Sequence, residues 1–112
     1  MNTELTIEMA SFTLADGISE DTLFAASERL EREFLSESDG YLGRALVRKD
    51  KDKWADIVFW KSEAHASNAM ETAAASAACR SYFKCMKAAD HSDPNNGIAF
   101  FRTAKTYGSF KL

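Results

Sequence analysis

Residues 53–62 read Lys-Trp-Ala-Asp-Ile-Val-Phe-Trp-Lys-Ser. In an extended chain successive side chains point to opposite sides, so Trp54, Asp56, Val58 and Trp60 share one face and Ala55, Ile57 and Phe59 the other. Both faces are apolar enough to be at least half buried, and the run predicts a strand over Lys53 to Lys61. Upstream, Tyr41 to Lys49 is a second β-prone run, and the charged tip Asp50-Lys51-Asp52 joins the two as a hairpin. Downstream, Ser62 is placed to cap a helix through the alanine-rich stretch to about Ala75.

The same periodicities extend outward. Glu4 to Leu14 alternates, with Leu5, Ile7 and Met9 on one side and Thr6, Glu8 and Ala10 on the other, which predicts a first strand. Asp16-Gly17 supplies a turn. Ser19 then caps a helix whose first turn holds Glu20 and Asp21, with Ile18 set to pack on Leu23. Leu23, Ser27, Leu30 and Phe34 follow helical spacing to about Ser36, before Asp39-Gly40. A further helix is expected from Ser76 to Ala89, with Cys79, Tyr82, Phe83 and Met86 inward. The loop from Asp90 to Gly97 precedes a last strand over Ile98 to Tyr107. This order predicts an α+β fold, a ferredoxin-like split β-α-β with a four-stranded antiparallel sheet and helices on one face. The other face, with Ile7, Ile57 and Phe101, would then be an open apolar patch, and a homodimer packed sheet to sheet would cover it.

The chain's 112 residues, 46% of them hydrophobic, suit a single domain spanning residues 1–112. Fourteen basic against 17 acidic residues give a net charge of −3, which argues against a nucleic-acid partner. Two cysteines and two histidines are too few for a disulfide scaffold or an unaided zinc site, and no metal is expected. The first ten residues carry two acids and no base, unlike a secretion signal, and no apolar run approaches membrane-spanning length. A cytoplasmic location, with Cys79 and Cys85 as reduced packing residues, follows as the expectation. No Gly-rich phosphate loop, nucleophile elbow or dinucleotide fingerprint occurs, so no tightly held cofactor is expected.

The strand end Asp56-Ile57-Val58-Phe59-Trp60-Lys61-Ser62, entering an alanine-rich helix, resembles the Trp-x-Ser element of the antibiotic biosynthesis monooxygenases, a family of dimeric α/β barrels. Gly40-Tyr41-Leu42 is similar to the Gly-aromatic-Leu that opens that family's second strand. Members that oxidise aromatic polyketides without metal or flavin use an Asn four residues before the strand-end Trp, that Trp, and an Arg twenty residues beyond. By resemblance these positions fall on Asp56, Trp60 and Arg80, with an acid standing where the family has an amide. The haem-degrading branch fits worse, because Ala69 and Cys79 occupy about the positions of its Trp and His.

The resemblance implies a cofactor-independent monooxygenase acting on an electron-rich aromatic or quinone-like small molecule. In such chemistry the deprotonated substrate reduces dioxygen, and the protein supplies deprotonation, anion stabilisation and a dry site. Asp56 is the candidate base or hydrogen-bond acceptor, Trp60 the stacking surface, and Arg80 the cation for a phenolate. Trp54, Val58, Tyr82 and Phe83 are the candidate substrate-binding residues. Each has a plainer reading: Arg80 as a solvated helix charge, Asp56 as an acid at a wet strand end, and Trp60, Tyr82 and Phe83 as core. If Arg80 lies near Asp56 the two form an ion pair; if it lies far, burial raises the carboxyl and favours a base. Arg44 and Arg48 share a strand face and could meet an anion, or simply protect an edge strand. A non-catalytic binding or accessory domain, and a proton-transferring isomerase or lyase, are the alternative functions.

Overall fold

The computed structural model describes residues 4–88, 92 and 96–108. Four strands, β1 (Thr6–Thr13), β2 (Tyr41–Arg48), β3 (Lys53–Trp60) and β4 (Gly97–Arg102), form one antiparallel sheet in the order β2-β3-β1-β4. The α-helices are α1 (Glu20–Glu33), α2 (Glu63–Ala73) and α3 (Ala77–Phe83). This is the split β-α-β arrangement anticipated from the element order. The hydroxyls of Ser19, Ser62 and Ser76 accept from the backbone N–H groups of Thr22, His65 and Cys79, so each α-helix begins at a serine cap.

β3 alternates as its sequence dictates, with Trp54, Asp56, Val58 and Trp60 buried and the residues between them only partly covered. The buried face meets Leu23 and Leu30 of α1, Ala66 and Ala69 of α2, and Cys79 and Tyr82 of α3 in one core. On the opposite face the strand register aligns Ile7 with Phe59 and Phe101, and Met9 with Ile57 and Ala99. Phe101 there is 49% exposed.

Three boundaries differ from the sequence reading. The last turn of the first helical stretch tightens into a 3-10 turn at Leu35–Glu37. α3 ends at Phe83 rather than Ala89, so Met86 is not on a helix. After α3 the chain bonds to the end of β1 instead, with Lys87 N–H donating to the Thr13 carbonyl at 2.8 Å and Ala15 N–H to the Cys85 carbonyl at 2.8 Å. β4 stops at Arg102 rather than Tyr107: the ladder ends at the Thr6–Arg102 pair, and one further contact, Thr103 N–H to the Leu5 carbonyl at 2.9 Å, closes it. His91 and most of the expected loop lie outside the described residues.

Gly40 opens β2 with φ near +79°, a conformation costly for any residue with a Cβ. A Cβ there would also overlap the His65 ring. The glycine thus lets the β2 entry pack directly on α2, whose cap Ser62 bonds the same imidazole through Nδ1 at 2.7 Å. Among the described residues no helix is long and apolar enough to cross a membrane.

Candidate functional site

Between the sheet and the helices lies a cavity of about 270 Å³. Its walls are largely apolar, with Phe12, Leu30, Phe34, Val58, Met70 and Met86 prominent. Into these walls project Glu8 from β1, Arg44 from β2, Asp56 and Trp60 from β3, and Tyr82 from α3; Lys87 and Asn96 also line it. A volume of this order stands near the lower end of small-molecule sites, roughly 300 Å³ and upward.

Asp56 is 5% exposed and fully engaged. Its Oδ1 accepts from Arg44 Nη1 at 3.1 Å and its Oδ2 from the Tyr82 hydroxyl. Arg44 is itself held from several sides. Its Nη2 donates to the Ser27 carbonyl at 2.7 Å and to the Ser27 hydroxyl, its Nε lies 3.5 Å from Glu31 Oε1, and its guanidinium sits 5.6 Å from the Tyr82 ring centroid. Burial pushes the Asp56 carboxyl upward from its ordinary range, while Arg44 and the Tyr82 hydrogen bond pull it partly back. Burial and the neighbouring carboxylate raise the Tyr82 phenol well above its usual value, so it remains a hydrogen-bond donor.

Trp60 is 2% exposed, and its indole N–H donates to Glu8 Oε1 at 3.1 Å. Tyr41 packs on its ring edge with centroids 5.7 Å apart, and the Tyr41 hydroxyl donates to Glu31 Oε1 at 2.6 Å. Glu8 has no such saturation. Burial raises its carboxyl, and the Asp56 charge adds to the rise, against the Trp60 hydrogen bond.

The structure therefore brings Asp56, Val58, Trp60, Tyr82 and Phe83 to one cavity. Phe83 is also half exposed, so it borders the cavity rather than filling the core. Arg80 is elsewhere: it is exposed, and its Nη1 donates to the Ala74 carbonyl at 2.9 Å, tying α3 back to the end of α2. The cation at Asp56 is Arg44. Trp54 is buried away from the cavity, edge-on to Phe24 with centroids 5.9 Å apart and beneath the Arg48 guanidinium at 4.8 Å. Arg48 pairs with Glu20. His65 borders a separate, polar cleft near Asp39.

Sequence reasoning gave Glu8 no role and read Arg44 as an anion contact or an edge-strand charge rather than as the partner of Asp56, and both had a signal. The hairpin register sets Leu46 opposite Asp56, so Arg44 falls two residues along on the same face. Ser27, a polar residue inside the apolar stripe of α1, is the acceptor that Arg44 requires. Among the described residues no cluster of three or more His, Cys, Asp or Glu is placed to hold a metal ion.

No family model and no curated protein matches the sequence. Solved structures do match its shape. SnoaB, a cofactor-independent oxygenase from Streptomyces nogalater, superimposes with a TM-score of 0.71 over 96% of this chain and 100% of its own, at 14% identity. A Bordetella bronchiseptica protein named as an antibiotic biosynthesis monooxygenase gives 0.67 over 92% and 98%, at 16% identity. A conserved protein from Methanosarcina mazei Go1 gives 0.63 over 88% and 92%, at 12% identity. The chain has the fold of the antibiotic biosynthesis monooxygenases. The likeness extends over nearly the whole chain, and identities this low carry fold rather than reaction.

Proposed function

We propose that this protein is a cofactor-independent monooxygenase for an electron-rich aromatic or quinone-like small molecule of two or three rings. The observation that carries the reading is the cavity itself: a largely apolar chamber into which two carboxyls, an indole, a phenol and the Arg44 guanidinium project, with Lys87 and Asn96 at its wall, on a fold shared with an oxygenase. For an anthrone-like substrate the balance is simple. A methylene between two aryl rings loses two hydrogens and gains one oxygen atom of dioxygen, becoming a carbonyl, and the second oxygen atom leaves as water. All four electrons come from the substrate carbon. The protein needs to bind the rings, take a proton and keep bulk water away.

Trp60 and Tyr82 provide aromatic surface for the ring system, and the dry walls favour its burial. Asp56, already holding Arg44, fixes the Tyr82 ring through its hydroxyl. Lys87, paired at 3.3 Å with the highly exposed Asp16, is the loosely tied cation at the wall. The open sheet face is covered in this reading by a second copy of the chain, burying Phe101 and its neighbours.

Oxygen uptake with a panel of anthrones and quinols tests the activity. Stoichiometric uptake that falls at least tenfold in Trp60→Phe supports it. Turnover without oxygen would assign an isomerase or lyase, and binding without turnover an accessory domain. The dimer is tested by solution mass at micromolar concentration, where a monomer refutes it and Phe101→Glu is expected to dissociate it.

A further inference from the structure

Two carboxyl groups share this cavity, on adjacent inner strands, and the structure treats them unequally. Glu8 pairs across the sheet with Val58, and Asp56 with Ala10, so the two acids occupy diagonal positions on one face, roughly 7 Å apart by sheet geometry. Asp56 has a donor on each oxygen, one of them cationic. Glu8 has the Trp60 indole on Oε1, while no described residue donates to Oε2, and the side chain lines the cavity. A carboxylate with both oxygens occupied is a poor proton acceptor, whereas one anchored on a single oxygen presents the other in fixed geometry.

We infer that Glu8, oriented by Trp60, is the group that takes the hydroxyl proton of a phenolic ligand bound in this cavity. The inference deepens the monooxygenase reading and rests on its claim that the cavity accepts aromatic rings. In the step, the ligand O–H bond breaks and an O–H bond forms at Glu8 Oε2. The electron pair stays on the phenolate oxygen, where dioxygen can draw on it. Glu8 goes from anion to neutral as the ligand goes from neutral to anion, so the charge inside the cavity is unchanged.

The surroundings of Glu8 support this use. β3 contributes Asp56, whose negative charge raises the Glu8 carboxyl, and the Trp60 donor. β2 contributes Arg44, committed to Asp56, and α3 contributes Tyr82 and the buried thiol of Cys79. Lys87 follows α3, and α2 adds Ala69, Met70 and Ala73, none charged. β4 sets Phe100 beside Glu8. Burial thus brings the acceptor's affinity for a proton closer to that of a phenol, which improves it as a base.

The test uses 2-naphthol and its methyl ether, in which a methyl group replaces the hydroxyl proton, titrated against the intact protein by quenching of tryptophan fluorescence between pH 4 and 8. Wild type is expected to prefer naphthol over the ether, with the preference rising about tenfold as Glu8 ionises. Glu8→Gln, which keeps the shape and the Trp60 acceptor, should show a preference that does not change with pH. A flat preference in wild type, or a pH dependence that survives in Glu8→Gln and disappears in Asp56→Asn, would overturn the assignment while leaving the aromatic cavity standing. If neither probe binds, the monooxygenase reading falls and the role of Glu8 with it.

Discussion

Replacing Arg44 with methionine isolates the most consequential contact in the protein. The substitution keeps an unbranched side chain in the space above Tyr82 but removes the charge 3.1 Å from a carboxyl whose side chain is 7% exposed. Losing one member of a buried ion pair costs about 3–5 kcal/mol, because the other is left in an apolar medium without compensation. At about 4 °C per kcal/mol for a domain of this size, the melting temperature should fall by roughly 12–20 °C at pH 7. Glu31 adds little, being half exposed and still bonded to Tyr41. The pH dependence has a definite sign. The Asp56 carboxyl already lies above its unfolded value, and removing Arg44 lifts it further. Stability tied to such a group is fully present below the unfolded value and is lost as pH rises through the folded one. The deficit should therefore widen from pH 4 to pH 8, and at pH 4 reduce to the lost Ser27 hydrogen bonds, about 1–2 kcal/mol. Adding Asp56→Asn to Arg44→Met should recover part of the loss at pH 7, with a coupling of about 2–3 kcal/mol in the double-mutant cycle. Urea unfolding with an unchanged slope is the assay. A cost below about 1 kcal/mol at pH 7, or the same cost at pH 4 and pH 8, would refute the argument.

Other consequences follow from the same contacts. Tyr82→Phe removes the second donor of Asp56 from a position 1% exposed, and should cost about 1–3 kcal/mol in denaturant unfolding. Gly40→Ala combines a positive φ with an overlap on His65 and should cost about 2–4 kcal/mol, measured by thermal melting. Glu8 is raised by burial, so its charged form opposes folding as pH climbs; Glu8→Gln should melt higher than wild type at pH 8, with the gap closing toward pH 4.

The fold was legible because its determinants are local. The two faces of Trp54 to Trp60 differ by the period of a strand alone, and Ser19, Ser62 and Ser76 announce three helix starts through the same hydroxyl-to-amide geometry. The ends were harder, because non-local partners decide them. Nothing in Lys84 to Met86 forbids another helical turn, yet the Thr13 carbonyl and Ala15 N–H at the end of β1 claim that backbone instead. β4 likewise ends with the ladder it forms on β1, one bond past the Thr6–Arg102 pair, although Thr103 to Tyr107 carries no strong break.

The site divides along the same line. Asp56, Val58 and Trp60 were readable from alternation, and Tyr82 from its helical spacing, because each faces the core its own element creates. Arg80 was reached by transferring a spacing from another protein's helices, and α3, only seven residues long, sends that side chain to the surface. Arg44 required the hairpin register, and Glu8 required the strand order. On an edge strand a glutamate opposite Ile7 and Met9 would simply mark the wet face. On β1, with β3 on one side, β4 on the other and helices above, the same alternation turns it inward, toward a cavity that already holds one acid and whose arginine is spent on that acid. Topology, rather than residue type, turns a surface carboxylate into a partly buried, cavity-lining one held through a single oxygen by Trp60, and that asymmetry between two acids is what gives this cavity an acceptor.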